Sequence, residues 1–201
     1  DVVLKQEHPD WFHGRGDIKN WDNIEEVEEG NLTGLPDFNQ DVPAVYEYLK
    51  RIALFWARET DCDGFRFDAV KHIPHRFWKK ILADLRTEFG PDFYFLGEVM
   101  NGDPSTASAY LDDGFDGLFD FPLYYRLLET FREPGRAGCQ RGSLKKIATI
   151  LRADALYRDS RAMNPFLGNH DTERFYQSAM GMDAYKLALG LIYTLRGLPV
   201  L

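Results

Sequence analysis

Apolar positions recur along this chain in two alternating rhythms. Val45, Leu49, Ile52 and Trp56 stand four, three and four residues apart, one stripe of a helix, with Asp41 placed to cap it and Pro43 in its first turn. Residues 63–68 read as a strand. Phe77, Ile81, Leu85 and Phe89 mark a helix from about Pro74 that Gly90 and Pro91 stop. The rhythm then repeats. Phe93, Tyr94, Phe95 and Leu96 form a near-continuous apolar run, as expected of a strand covered on both faces, and residues 115–119 read as a weaker strand. Ser143 can cap a helix carrying Ile147, Ile150 and Leu151. Residues 165–167 read as a short strand, and Tyr185, Leu189 and Ile192 mark a helix before the apolar residues 198–201. Strands alternating with amphipathic helices predict a parallel α/β sheet, open or closed.

Residues 5–41 break this rhythm. They hold four glycines (Gly14, Gly16, Gly30, Gly34), an acidic run from Glu25 to Glu29, and the rings of Trp11, Phe12 and Trp21. A linker has no use for three large rings, so this stretch is expected to fold as a loop or subdomain. The two ends, Asp1 to Leu4 and Gly197 to Leu201, read as strand pieces, and an edge left open there would invite aggregation. The chain is therefore expected to be a window on a longer one.

Composition narrows the classes. The 201 residues carry 44% hydrophobic and 14% aromatic residues, too many for a disordered segment, and a formal charge of −8. That acidic balance argues against nucleic acid as a partner. No apolar run reaches the length of a membrane span. Cys62 and Cys139 are too few for a disulfide scaffold and leave the redox compartment open.

The chemistry sits at strand ends. Side chains alternate along a strand, so Phe65 and Phe67 share one face while Arg66 and Asp68 share the other, which must look into something polar. A guanidinium beside Asp68 would keep the carboxylate ionised, as a nucleophile requires, and would equally make a buried ion pair. Glu98 closes the most apolar strand. Partial burial there would raise its pKa, the behaviour wanted of a general acid, and a salt-bridged Glu is the alternative. Asn169, His170 and Asp171 follow residues 166–168 at once, as a metal site or substrate-binding cluster, with helix capping by Asp171 as the simpler reading. Parallel strands present their C-terminal ends on one face. The three carboxylates with an Arg and a His suit glycoside hydrolysis, and the same set could hold a divalent metal.

Residues 64–72, 97–99 and 166–172 resemble three signature motifs of the α-amylase family of glycoside hydrolases, in the family's order. Leu35, Pro36, Asp37, Phe38 and Asn39 resemble a fourth, and Gly197, Leu198 and Pro199 resemble the start of the eighth barrel strand. Residues 14–23 are similar to domain B of amylase and maltogenic-type members. The resemblance implies a (β/α)8 TIM barrel seen through an incomplete window. Residues 1–4 would end strand 3, 5–41 form a short domain B, and 42–201 run from helix 3 to strand 8. It implies Asp68 as nucleophile, Glu98 as acid/base and Asp171 as the carboxylate that stabilises the transition state. Arg66 would bond the nucleophile, His170 bind the sugar in subsite −1, and Lys71 and His72 lie on the acceptor side. In many members the Asp37 carboxylate and the His72 backbone carbonyl bind a structural calcium. Lys5 and Gln6 stand here where the family has Asn and His, a calcium ligand and a subsite −1 contact.

The implied activity is retaining hydrolysis of α-1,4 bonds in starch-type glucans or maltooligosaccharides. Its rivals are a transglycosylase or cyclodextrin/neopullulan-type enzyme, a non-catalytic amylase-like binding or transport subunit, and a divalent-metal hydrolase. Expected partners are an α-glucan substrate, no nucleic acid and no membrane span. Oligomeric state is left open, and so is the compartment, with a secreted one favoured. A (β/α)8 barrel needs about 250 residues. These 201 residues expressed alone are therefore expected to be insoluble or inactive, and a soluble starch-cleaving product would overturn that.

Overall fold

In a parallel sheet each strand pair needs a crossover between its members, and the described chain supplies helices for that purpose. The computed structural model describes residues 2–131, 143–178 and 181–201, and Cys139 lies outside them. The chain divides into two units, Asp1–Glu98 and Val99–Leu201.

The first unit contains α1 (Val2–Glu7), α2 (Ile24–Glu29), α3 (Pro43–Thr60), β1 (Gly64–Phe67), α4 (His75–Phe89) and β2 (Tyr94–Gly97). β1 and β2 pair in parallel, in a register running from Gly64 opposite Tyr94 to Phe67 opposite Gly97. A Cβ on Gly64 would lie 2.4 Å from the Tyr94 carbonyl oxygen, so the close start of this pair requires glycine. α4 buries Phe77, Trp78, Ile81, Leu82 and Leu85, and the Trp78 indole donates to the Val70 carbonyl at 2.9 Å. It ends at Gly90 with φ +89°, where the pattern of positions predicts the stop.

Three expectations change here. Residues 2–4 are not a strand. Val2–Glu7 is helical, continued by an amide of His8 donating to Leu4 O at 2.8 Å. A helix satisfies its own backbone, whereas a strand would need a neighbour, and none pairs with this segment among the described residues. Asp41 does not cap α3. The cap position is Val42, and the Asp41 carboxylate instead takes two hydrogen bonds from Arg76, at 2.8 and 2.6 Å. The α3 stripe is only half covered. Val45 is fully buried while Ile52 and Trp56 are exposed, because they border an open apolar hollow of about 430 Å³ shared with Phe65 and Phe67.

The second unit contains α5 (Pro104–Asp112), β3 (Gly117–Phe119), α6 (Phe121–Phe131), α7 (Leu144–Arg152), β4 (Met163–Asn164), α8 (Phe175–Ser178) and α9 (Met182–Thr194). β3 and β4 pair in parallel through Leu118–Met163 and Phe119–Asn164. Ser143 caps α7 as expected, its hydroxyl accepting the Lys145 amide. The core is built on Phe115, Leu118, Phe121, Leu123, Leu127 and Phe166, all essentially without exposure, with Tyr124 stacked on Phe166 at 4.9 Å. The strand expected at residues 165–167 sits two residues earlier. Pro165 has no N–H to donate, so the ladder stops before it and only an isolated parallel bridge, Phe166 with Val200, follows.

Asp120, directly after β3, is wholly buried. Its Oδ1 accepts the Leu123 amide at 3.0 Å and its Oδ2 takes Arg196 Nη1 at 2.5 Å. Arg196 also binds Asp154 through two nitrogens, at 2.9 and 2.7 Å. Beside it Gly197 has φ +86°, and a Cβ there would lie 1.9 Å from Met163 O, so no side chain is tolerated. Removing the cation would leave a buried carboxylate unpaired. Arg196→Met is therefore expected to cost about 3 kcal/mol or more, read as a lowered urea midpoint at unchanged slope.

Candidate active site

β1 places Arg66 and Asp68 on one face two residues apart, and Arg66 Nη1 donates to Asp68 Oδ1 at 2.5 Å. The same guanidinium reaches the other catalytic candidate, its Nη2 contacting Glu98 Oε2. Backbone register makes this possible. The Glu98 amide donates to Phe67 O and the Val70 amide donates to Glu98 O, both at 3.0 Å, so the residue after β2 is pinned beside the turn after β1. One cation thus holds both carboxyls. Their surroundings differ sharply: the Asp68 side chain is 69% exposed and that of Glu98 5%.

Behind Asp68 the chain turns through Ala69, a non-glycine residue at φ +50°. That left-handed conformation costs roughly 1 kcal/mol and starts the single 3-10 turn Val70–His72. The turn presents Lys71 and His72. Lys71 Nζ lies 5.6 Å from the centre of the Trp21 ring, and burial pushes its pKa down. His72 is buried with its edge to Trp21, and its Nδ1 lies 3.1 Å from the Val27 carbonyl. Because a carbonyl only accepts, Nδ1 carries the proton. Burial lowers the pKa of this ring, the Val27 bond opposing. Both residues are thereby tied to the segment 21–27.

In the second unit, residues 166–172 make a tight polar turn. Asn169 Oδ1 accepts the Asp171 amide at 3.0 Å, and Thr172 Oγ1 accepts the Asn169 amide at 2.9 Å. His170 Nε2 lies 3.0 Å from Asp171 Oδ2, with both side chains reachable from solvent. Asp171 caps no helix, since the next one begins at Phe175. Of the predicted residues, Arg66, Asp68 and Glu98 are thus brought into one cluster and His170 and Asp171 into another.

Asp37 has a different partner from the one expected. Its Oδ2 lies 2.6 Å from His13 Nδ1, both side chains being largely buried. Burial pushes its pKa up to about 6, with the His13 hydrogen bond opposing. Among the described residues no group of three or more His, Cys, Asp or Glu side chains is placed to hold a metal ion. A calcium ion takes six to eight oxygens, and the Oδ2 that Asp37 would offer is bonded to His13. His8 stacks on Trp11 at 4.4 Å. Phe12 and Tyr124 are core residues, whereas Trp21 is 55% exposed.

Sequence reasoning missed the backbone strain at Ala69, the pairing of His13 with Asp37 and the Asp120–Arg196–Asp154 cluster. Only the last had a local signal: Asp120 ends an apolar strand, as Glu98 does.

The model of the alpha amylase catalytic domain matches residues 4–201 of this chain. A beta/alpha-amylase of Paenibacillus polymyxa is 33% identical over 96% of this chain and 16% of its own length. A cyclomaltodextrinase of a Bacillus species is 30% identical over 94% of this chain and 33% of its own. The crystal structure of the alpha-amylase from Geobacillus thermoleovorans, complexed with acarbose, is 32% identical and superposes with a TM-score of 0.87 over 98% of this chain and 44% of that one. The chain therefore spans less than half the length of these relatives. Its parallel strand pairs and helices are part of an amylase-type (β/α)8 barrel, as the motif resemblance implies, and the strand–helix alternation predicts the parallel pairing. The match of motif order, strand-end chemistry and family model leads to one assignment: this chain belongs to the alpha-amylase catalytic-domain family of glycoside hydrolases.

Proposed function

We propose that this chain carries the catalytic centre of a retaining hydrolase of α-1,4-glucosidic bonds in starch-type glucans or maltooligosaccharides. The observation that carries the reading is the Arg66 guanidinium shared by Asp68 and Glu98. One guanidinium gripping both carboxyls favours the short separation of a retaining pair, roughly 5–5.5 Å, over the wider gap an inverting enzyme leaves for water. The exposed Asp68 carboxylate attacks the anomeric carbon while Glu98 protonates the departing glycosidic oxygen. Glu98, now a base, takes a proton from water, whose oxygen displaces Asp68 and releases the sugar. Asp171 and His170 hold the distorted ring. Lys71 and His72 lie on the acceptor side, and residues 5–41 form domain B.

The similarity to a cyclomaltodextrinase favours a second reading, a transglycosylase or cyclodextrin/neopullulan-type enzyme of the same family. The carboxylates are common to both readings. Product analysis on starch, pullulan and cyclodextrin separates them.

In the full-length enzyme Glu98→Gln is expected to lower kcat/KM on a maltooligosaccharide by about 10²–10⁴-fold, the contribution of a general acid, and Asp68→Asn by at least as much. NMR of the first product should show the α-anomer. Intact cleavage by either variant sinks the reading. Arg66→Lys keeps the charge but grips only one carboxyl, so a loss of roughly 10–100-fold is expected, the worth of one charge-assisted hydrogen bond.

A further inference from the structure

The region resembling domain B is closed on itself where many family members carry a cation. Phe12 and Phe38 form an antiparallel bridge with their rings stacked at 4.7 Å. The Asn39 amide donates to Trp11 O at 2.8 Å, and the His13 amide donates to Asp37 O at 3.1 Å. Between these main-chain bonds the His13 ring meets the Asp37 carboxylate at 2.6 Å. A carboxylate only accepts, so His13 Nδ1 donates. The Asp37 amide is held in turn by Asn31 Oδ1 at 3.2 Å. The other acid facing Asp37, Glu29, is engaged by Arg15 at 2.6 Å.

A hard cation at Asp37 would need a cage of oxygens, and one of the two carboxylate oxygens, Oδ2, is already bonded to the His13 ring. Lys5 and Gln6 offer an ammonium and one amide, and both lie within the helix Val2–Glu7 rather than on a strand end. The His72 ring, beside the carbonyl that would be the remaining ligand, is bonded to Val27. We propose that the His13–Asp37 pair takes the place of the structural calcium, closing residues 13–37 on a hydrogen-bonded side-chain pair so that this region folds without metal. The donor that replaces the ion belongs to the chain itself, at the neck of the loop it closes.

Two measurements on the purified full-length protein test this. After dialysis against chelator, titration with calcium chloride should give no binding heat, and millimolar calcium should leave the melting temperature where chelator leaves it. Limited trypsin digestion of His13→Ala should cut after Arg15 or Lys19 about tenfold faster than in the parent, as the loss of one charge-assisted hydrogen bond predicts for local opening. The proposal is overturned by a calcium-dependent rise in melting temperature that Asp37→Asn abolishes, or by unchanged proteolysis of the folded His13→Ala protein. If His13→Ala does not fold, the calcium titration of the parent protein decides alone. Neither readout depends on catalysis, so failure here and failure of the proposed activity are distinguishable.

Discussion

Two carboxylates at the ends of neighbouring parallel strands repel one another unless a cation stands between them, and Arg66 is that cation. Its guanidinium contacts Asp68 and Glu98 through separate nitrogens. The planar fork matters, because a point charge on a flexible stem would satisfy one acid and abandon the other. Everything nearby serves this geometry. Gly64 lets the two strands start close together, and the Phe67, Val70 and Glu98 backbone bonds fix the register in which the acids meet. The left-handed Ala69 then turns the chain so that Lys71 and His72 face the segment containing Trp21 and Val27.

The second unit repeats the device for a structural end. Asp120 closes β3 as Glu98 follows β2, but its carboxylate is sealed by Arg196, which also grips Asp154. The acids of that trio are covered: Asp120 has no exposure at all, and the Asp154 side chain, 22% exposed, is held by two nitrogens of Arg196. The contrast with Asp68, more than half exposed, separates an ion cluster that holds a fold from one that can meet a substrate.

A third pair, His13 with Asp37, closes the insertion between α1 and α3. It lies between main-chain bonds made by Trp11, His13, Asp37 and Asn39, so side chain and backbone reinforce each other at one neck. In each of these places a nitrogen donor supplied by the chain neutralises or satisfies a carboxylate that the fold has taken partly or wholly out of water, which is the condition on which such groups can be buried.

By itself the sequence determined the alternation of strands and helices, the helix stop at Gly90, the cap at Ser143 and the strand-end positions of Arg66, Asp68 and Glu98, because these follow from periodicities of two and 3.6 residues and from local backbone chemistry. It did not determine whether the first apolar residues paired with a neighbour, and Val2–Glu7 is a helix, since a strand exists only with a partner. Nor did it assign Asp41, whose carboxylate went to Arg76 across 35 positions rather than to the helix two residues on. Only the tertiary structure decided that Arg66 is shared across 32 residues with Glu98, that His13 rather than a cation setting meets Asp37, and that Arg196 seals Asp120. Those pairings depend on which chain segments are brought together, and no local spacing encodes a contact whose partners are tens of residues apart.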